Sequence, residues 1–185
     1  MKAVIETERL IMRNFKLSDA TSMFDSYCHS ETITRYLTWY PHVDVQATRD
    51  FITQVQLPRI ESDRDLDLAI TLKNEDQVIG SIGLVNDYQR DGYAEIGYVI
   101  GENYWNQGYM SEALKGLMTF LFEQTPVTKV KAIHHLDNIA SGKVMQKCGM
   151  KYIGEVMVKK KIDKEDMVKC ACYCLEKEDW LKDHV

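Results

Sequence analysis

The sequence predicts a mixed α/β domain of the α+β class. Three observations predict it. Short strand-like segments joined by tight turns fill the middle of the chain, two amphipathic helical segments follow, and a pair of strand-like segments closes it. No internal repeat, low-complexity tract or Gly-, Ser- or Pro-rich linker divides the 185 residues, which predicts a single domain over residues 1–185.

The first third of the chain is expected to hold one strand and several helices. Residues 8–15 alternate in a pattern that is typical of a strand. Ser18 and Asp19 then offer oxygens that can cap a helix, and a mostly helical region runs on to about residue 58. The WYPH run at residues 39–42 predicts a break between helices.

The middle of the chain is expected to form consecutive strands. Residues 66–72 and 78–85 are strand-like, and the Asn-Glu-Asp run between them is typical of a hairpin turn. A second turn at residues 90–92 leads into residues 93–100, whose near-continuous apolar character predicts a strand buried on both faces. Residues 108–122 carry apolar side chains at helical spacing and form the clearest predicted helix.

A strand, a helix and a hairpin complete the predicted order. Residues 127–134 are strand-like, and residues 138–148 form a second amphipathic helix. Gly149 suits the left-handed position that follows a helix end. The two final strands are predicted over residues 152–159 and 167–175.

Composition and charge argue against several classes of protein. A formal net charge of −5 gives no support for nucleic-acid binding, because phosphate backbones attract basic surfaces. The N-terminus lacks the charged start and long apolar run of a secretory signal, and no apolar stretch approaches the length that crosses a bilayer. These features predict a cytoplasmic protein without nucleic-acid or membrane partners.

The five cysteines and five histidines predict no metal site. Cys170, Cys172 and Cys174 would share one face of a strand, and their spacing is not that of a disulfide framework. Thiols that face the core in a reducing cytoplasm explain them better than metal binding does. His134 and His135 are adjacent, so a strand would direct them to opposite faces.

The most informative segment is residues 95–113, EIGYVIGENYWNQGYMSEA. It runs from the apolar strand through a short polar loop into the clearest helix, with Gly108 at the helix start. Such a turn leaves N–H groups unpaired at the positive end of the helix dipole, and a glycine lets an anion approach them. Pyrophosphate suits this arrangement best. Gly108 alone would also fit an ordinary loop, and the chain has neither the P-loop nor the dinucleotide-binding glycine motif.

Four segments resemble a known family in its order and spacing. The run YWNQGYMSEA at residues 104–113 resembles the acetyl-CoA pyrophosphate loop of RimJ/RimL-like N-acetyltransferases, in the GNAT superfamily. The runs ETERLIMR, VIGSIG and DNIAS, with KCGM after the last, resemble its opening strand, central hairpin and second cofactor-side helix. The resemblance covers nearly the whole chain. It implies the GNAT fold, a splayed, largely antiparallel mixed sheet flanked by helices.

The resemblance implies that acetyl-CoA is the co-substrate. Its pyrophosphate would bind the backbone donors of Asn106, Gln107, Gly108, Tyr109, Met110 and Ser111. The main chain of Tyr98, Val99 and Ile100 would pair with the pantetheine arm, and Asn138 would hydrogen-bond that arm near the thioester. N-capping of the second helix is an equally good role for Asn138, and the two roles can coexist.

Amide formation needs a neutral amine, so a base that removes its proton is expected. Glu95 is the candidate, because an ionised carboxylate in an apolar strand is costly unless it has a purpose or reaches water. Solvation near the preceding turn is an equally weighted alternative.

Many superfamily members have a tyrosine that protonates the leaving thiolate, and the matching position here is Met145. Ser141 is then the best remaining donor, although an ordinary role in the first helical turn is an alternative. A covalent acetyl-enzyme on Cys148 is disfavoured, because that residue falls on the core stripe.

The N-terminal helical region tends to wall the acceptor pocket in this family. Tyr36, Trp39 and His42 are therefore candidates for substrate binding, and plain aromatic packing is their alternative. The three lysines at residues 159–161 are expected to lie in a solvated turn. Homodimers are common among relatives, so a homodimer is an open expectation, but the sequence identifies no exposed apolar face.

The sequence thus predicts an enzyme that transfers an acetyl group from acetyl-CoA to a primary amine, by direct attack in a ternary complex. The resemblance points first to a protein N-terminus as acceptor, including that of a ribosomal protein. Small amines such as polyamines, drugs or amino-acid-like compounds stay open. A regulatory module that binds acetyl-CoA without turnover is the alternative from another class, and the methionine at position 145 favours it.

Overall fold

One mixed sheet organises the fold. The computed structural model describes residues 3–61 and 66–182. Its strands are Val4–Glu6 (β1), Leu10–Arg13 (β2), Asp67–Leu72 (β3), Val78–Leu84 (β4), Ala94–Ile100 (β5), Lys129–His135 (β6), Lys151–Lys159 (β7) and Met167–Glu176 (β8). They share one sheet in the order β1-β2-β3-β4-β5-β6-β8-β7. Neighbouring strands are antiparallel except β5 and β6, which are parallel. The predicted α+β class with a largely antiparallel sheet is confirmed.

π-Helical turns over Phe24–Cys28 and Ile52–Gln56 extend two of the α-helical segments that accompany the sheet. The α-helices are Ala20–Met23 (α1), Glu31–Thr34 (α2), Val45–Phe51 (α3), Leu57–Glu61 (α4), Tyr88–Asp91 (α5), Tyr109–Gln124 (α6), Ile139–Lys147 (α7) and Lys177–Lys182 (α8). The predicted break at residues 39–42 is confirmed, since it lies between α2 and α3. Among the residues described, no helix combines the length and the apolar character needed to cross a membrane.

Alternating side chains of β5 divide between two hydrophobic clusters. Ala94 and Ile96 are buried in the larger cluster, together with the inward stripe of α6. Val99 packs against the second cluster, which includes the fully buried Tyr27 and Ile52 of the N-terminal region. The sheet is therefore covered on both faces where β5 crosses it.

β5 and β6 separate soon after they meet. Their parallel pairing is confined to Ala94↔Val130 and Glu95↔Lys131, whereas β5 stays paired with β4 through its second half. The edge of β5 that faces β6 therefore has no strand partner after Glu95. The prediction that this strand is buried on both faces is wrong in its second half. Residues 97–100 are only half-buried, because the gap beside β6 leaves one edge open.

The start of the chain holds two short strands instead of one. The predicted strand at residues 8–15 is confirmed only over β2. β1 precedes it through a tight turn, in which the Thr7 N–H donates to the Leu10 carbonyl at 3.1 Å. After β2, the Arg13 guanidinium donates to both oxygens of the Asp19 carboxylate at 2.8 and 2.9 Å. A strand as short as β1 leaves no periodic signal in a sequence.

The closing hairpin differs from expectation in its exposure. β8 lies between β6 and β7, and its alternating cysteines 170, 172 and 174 are buried, as predicted. β7 forms an edge of the sheet, and it exposes the apolar side chains of Tyr152, Ile153, Val156 and Met157. The structure therefore adds exposed apolar side chains along this edge of the sheet, which the sequence does not identify. Strand patterns do not tell which strand lacks a neighbour.

Candidate active site

The loop between β5 and α6 exposes main-chain N–H groups. Asn106 and Gly108 have left-handed backbone conformations, with φ of 59° and 82°. Gly108 is the N-cap of α6 and has no side chain, so the first N–H groups of the helix have no N-cap side chain to accept them. A non-glycine residue at positive φ is uncommon and often marks a functional turn. The loop therefore suits an anion that binds through backbone donors.

A charged brace, formed by Thr7, Arg9 and Glu112, ties the β1–β2 turn to this loop. Glu112 accepts hydrogen bonds from the Arg9 backbone N–H and Nε, both at 2.7 Å, and from the Thr7 hydroxyl at 2.5 Å. Arg9 Nη1 also donates to the Gln107 carbonyl at 3.0 Å, and the guanidinium lies 4.4 Å from the Tyr109 ring centroid. Burial alone would raise the pKa of Glu112, but the hydrogen bonds from Thr7 and Arg9 outweigh it and lower that pKa.

Sequence reasoning misses the charged brace. Arg9 and Glu112 both fall in runs that carry the family resemblance, but 103 residues separate them. A carboxylate in the first turn of a helix is already explained by the helix dipole. Nothing in the local sequence therefore points to a partner for either residue. The signal that could have linked them is that both runs resemble segments of the same family.

The second half of β5 faces the gap beside β6. Tyr98, Val99 and Ile100, expected to contact the pantetheine arm, lie on this unpaired stretch. The Ile100 carbonyl already accepts the Trp105 indole N–H at 2.9 Å. The Tyr98 phenol reaches α7, where its oxygen lies 3.0 Å from the Ser141 carbonyl oxygen and 2.9 Å from Ser141 Oγ. The structure thus joins two predicted site residues through their side chains.

The start of α7 is capped as the sequence predicts. Asn138 is its N-cap, and the Asn138 Oδ1 accepts the Ser141 N–H at 3.3 Å. Met145 is 1% exposed and belongs to the core. Cys148 Sγ donates to the Ser111 carbonyl at 3.3 Å, and burial raises the pKa of this thiol to about 11. A thiol that stays protonated at neutral pH is a poor acetyl acceptor, which argues against a covalent intermediate on Cys148.

Glu95 stands where the two central strands separate. It is the last residue of β5 that pairs with β6, and its backbone N–H donates to the Asn86 side-chain oxygen at 2.7 Å. The residue is half-buried. Burial raises the pKa of its carboxyl group, and the Lys131 charge partly opposes that rise. A carboxylate with a raised pKa beside an open gap is suited to accept a proton.

Comparison with known proteins agrees with this geometry. Residues 9–151 match the family model described as an acetyltransferase (GNAT) domain. The chain belongs to the GNAT acetyltransferase family. It is accordingly an acyltransferase that uses acetyl-CoA.

Individual relatives support the same assignment. An uncharacterised N-acetyltransferase of Bacillus licheniformis, p20, is 32% identical over 139 residues, which cover 75% of this chain and 77% of its own. The structure of RimL, a ribosomal L7/L12 α-N-protein acetyltransferase in complex with coenzyme A, superposes with a TM-score of 0.78 at 19% identity, over 96% of this chain and 99% of that one. The microcin C7 self-immunity acetyltransferase MccE, in complex with acetyl-CoA and AMP, has a TM-score of 0.78 at 16% identity, over 92% and 93%. The two structures show the shared fold.

The predicted acceptor residues of this GNAT enzyme fall in two places. The Tyr36 ring lies 5.1 Å from the His135 ring, at the end of β6 and beside the gap. Trp39 and His42 pack together farther along, with ring centroids 5.7 Å apart. The His42 Nδ1 lies 2.7 Å from the Thr48 hydroxyl, and burial lowers the pKa of its imidazole. The structure therefore places Tyr36 beside the end of β6 and Trp39 against the second hydrophobic cluster. It also adds His135, which the sequence considers only as a metal ligand.

The lysine run at residues 159–161 is not simply a solvated turn. The Lys161 ammonium donates to the carbonyls of Thr34 at 2.9 Å, Leu37 at 2.9 Å and Trp39 at 2.8 Å. The Ile162 N–H donates to another carbonyl of the same segment at 2.8 Å. The prediction is wrong for Lys161, because an ammonium with three donors satisfies the carbonyls left free where α2 ends. The β7–β8 hairpin thereby holds the segment that carries Tyr36.

Removing this anchor is expected to loosen the segment that carries Tyr36. We expect Lys161→Met to lower Tm by about 3–12 °C, the size of one lost charge-assisted hydrogen bond. Lys160→Met is the matched control, because the adjacent Lys160 is exposed. Thermal unfolding of both variants checks the prediction. Equal Tm values for the two variants would show that the contacts of Lys161 contribute no stability.

Proposed function

We propose that this GNAT enzyme acetylates the α-amino group of a protein N-terminus, by direct attack of the amine on acetyl-CoA in a ternary complex. The observation that carries the proposal is the separation of β5 and β6 directly after Glu95. Because side chains alternate along a strand, Glu95 and Tyr98 point to opposite faces of β5. This arrangement supports a cofactor on the α6–α7 face and an acceptor on the other.

Each group of the proposed mechanism answers one chemical requirement. The acceptor must be a neutral amine, and an α-amino group has a pKa of about 7.7–8.0, so a carboxylate base near neutral pH is sufficient. Glu95 accepts the proton, directly or through water. Main-chain N–H groups on the open edge of β5 polarise the thioester oxygen. Ser141 donates a hydrogen bond to the leaving sulfur, and the α6 loop, with Asn138, holds the cofactor.

One similarity supports a peptide acceptor over a small amine. The structurally similar RimL is a ribosomal-protein α-N-acetyltransferase. Acetylation of a small amine is the second candidate, because His42 and its aromatic neighbours could also enclose a compact substrate. A binding module without turnover is the third, favoured by the buried Met145 in the place of a hydroxyl donor.

Incubation of a cell extract with the protein and isotopically heavy acetyl-CoA tests the proposal by mass spectrometry. Heavy label on peptide N-termini, lost in Glu95→Gln, is the expected result, and the labelled sequences define the specificity. Label confined to small amines would overturn the peptide acceptor and reassign the enzyme to metabolite or drug acetylation. Binding of acetyl-CoA without label above the Glu95→Gln background would favour the binding module.

A further inference from the structure

The Tyr98 phenol makes a side-chain bridge between β5 and α7. Its oxygen lies 3.0 Å from the Ser141 carbonyl oxygen and 2.9 Å from Ser141 Oγ. The bridge starts on the stretch of β5 that has left β6, and it ends in the first turn of α7. Tyr98 packs against the large core cluster, so its ring direction is fixed by its neighbours. Two hydroxyl groups and one carbonyl thus meet beside the gap between β5 and β6.

Counting protons limits how this group can be arranged. The Ser141 carbonyl can only accept, and each hydroxyl has a single proton to donate. If the phenol donates to the carbonyl, the Ser141 hydroxyl donates to the phenol oxygen, and both protons are used within the group. If the phenol donates to Ser141 Oγ, the Ser141 proton is free to point elsewhere. Only the second arrangement lets Ser141 donate to a leaving sulfur.

We propose that Tyr98 is the positioning residue that directs the Ser141 hydroxyl toward the sulfur of the cofactor. This inference rests on the proposed function and deepens it. Before reaction, the phenol donates to the Ser141 carbonyl. When the sulfur becomes an acceptor, the phenol proton turns by rotation about the C–O bond to Ser141 Oγ, and the Ser141 proton turns to the sulfur.

The reaction balances without a proton leaving Tyr98. The amine nitrogen forms a bond to the acetyl carbon, the carbon–sulfur bond breaks, and its electron pair stays on sulfur. The proton released by the nitrogen goes to Glu95 and then to water, and the thiolate takes a proton from water. Burial raises the pKa of Tyr98 well above its ordinary value near 10. The phenol therefore keeps its proton at neutral pH and acts as a hydrogen-bond donor.

The proposed role of Ser141 also agrees with the position of Met145 in the core. Met145 is 1% exposed and offers no donor. Ser141 is then the proposed donor on α7, and a free serine hydroxyl rotates among several positions. A second contact at 2.9 Å limits that rotation. Orientation of this kind is expected to act on kcat and not on cofactor binding.

Titration of the thiol of bound CoA tests the inference without any acceptor. Ultraviolet absorbance of the thiolate gives the pKa of that thiol in complexes with the wild type, Tyr98→Phe, Ser141→Ala and the double variant. We expect the thiol pKa to be lowest in the wild type and about 0.5–1 unit higher in each single variant, the effect of one hydrogen bond to the charged form. The double variant should match Ser141→Ala, because Tyr98 acts only through Ser141.

Kinetics with the acceptor found by labelling supply the second readout. We expect Tyr98→Phe to lower kcat about tenfold at unchanged KM for acetyl-CoA, as loss of one oriented hydrogen bond predicts. Tyr152→Phe on the exposed edge strand is the matched control and should leave kcat unchanged. The same thiol pKa in all complexes, or effects of Tyr98→Phe and Ser141→Ala that multiply, would overturn the inference. A shifted thiol pKa in a protein that acetylates no amine would overturn the proposed function alone.

Discussion

Replacing Glu95 with glutamine is expected to lower kcat/KM about 10²–10³-fold, the usual contribution of a general base. Glutamine keeps the size of the side chain but cannot accept the proton that the attacking amine must lose. KM for acetyl-CoA should change little, because the loop that we propose binds the pyrophosphate lies at the far end of β5. Steady-state kinetics with the acceptor identified by labelling measure both quantities.

The pH dependence of the same variant separates catalysis from binding. Glu95 acts as a base only when it is ionised, and burial raises its pKa above the ordinary value of 4.5. The wild-type kcat/KM should therefore rise as pH increases through this raised pKa and then level off once the amine is also neutral. In the glutamine variant, the rise of kcat/KM that reports ionisation of Glu95 should be absent, and the rise that reports deprotonation of the amine should remain. A profile that keeps both steps would remove Glu95 as the base.

Unfolding measurements test whether the loss of activity in Glu95→Gln comes from a loss of stability. A carboxyl group whose pKa is raised by folding stabilises the native state fully below its ordinary pKa, and that stabilisation is lost as pH rises through the raised value. The glutamine variant stays neutral, so at neutral pH its Tm should equal or exceed that of the wild type. Glu165→Gln is the control for charge removal, because its side chain is 92% exposed. A large loss of activity with an unchanged Tm would exclude unfolding as the cause.

Features set by neighbouring residues could be predicted from the sequence. The helix over α6, its glycine start, the Asn138 cap and the glycine after α7 all follow from spacings of a few residues. The α+β class followed from the order of such segments. Burial of the cysteines of β8 was also predictable, and this strand has partners on both sides. These properties depend on local backbone geometry, which a single sequence carries.

Contacts between distant segments could not be predicted in this way. Arg9 and Glu112 are 103 residues apart, Tyr98 and Ser141 are 43 apart, and Lys161 is 127 from Thr34. Each of these residues has an ordinary local explanation as a dipole partner, a strand residue or a surface charge. Their partners are decided by which strands pair and where β5 and β6 separate, and no spacing along the chain encodes that. The exposure of β7 is missed for the same reason.

Substituting valine for Gly108 is expected to raise KM for acetyl-CoA about 10–100-fold, since a strained left-handed residue costs roughly 1–3 kcal/mol and about 1.4 kcal/mol is tenfold. Gly108 has φ of +82°, which a β-branched residue adopts poorly. An added Cβ would lie 3.4 Å from Arg9 Nη2, in contact with the charged brace. Relief of the strain would turn the first N–H groups of α6 away from the positions that suit a pyrophosphate.

Gly149 provides a control with nearly the same backbone conformation. Its φ is +80°, and an added Cβ would meet no atom within 4 Å. Gly149→Val should therefore lower Tm about as much as Gly108→Val, since the intrinsic strain of the two sites is alike. Only Gly108→Val should also weaken the binding of acetyl-CoA, which calorimetric titration and KM measure. Equal weakening by both variants would mean that affinity follows global stability, and the β5–α6 loop would then lose its assignment as the phosphate site. Weakening confined to Gly108→Val would tie acetyl-CoA affinity to the main-chain conformation of this loop, because both variants add the same apolar side chain.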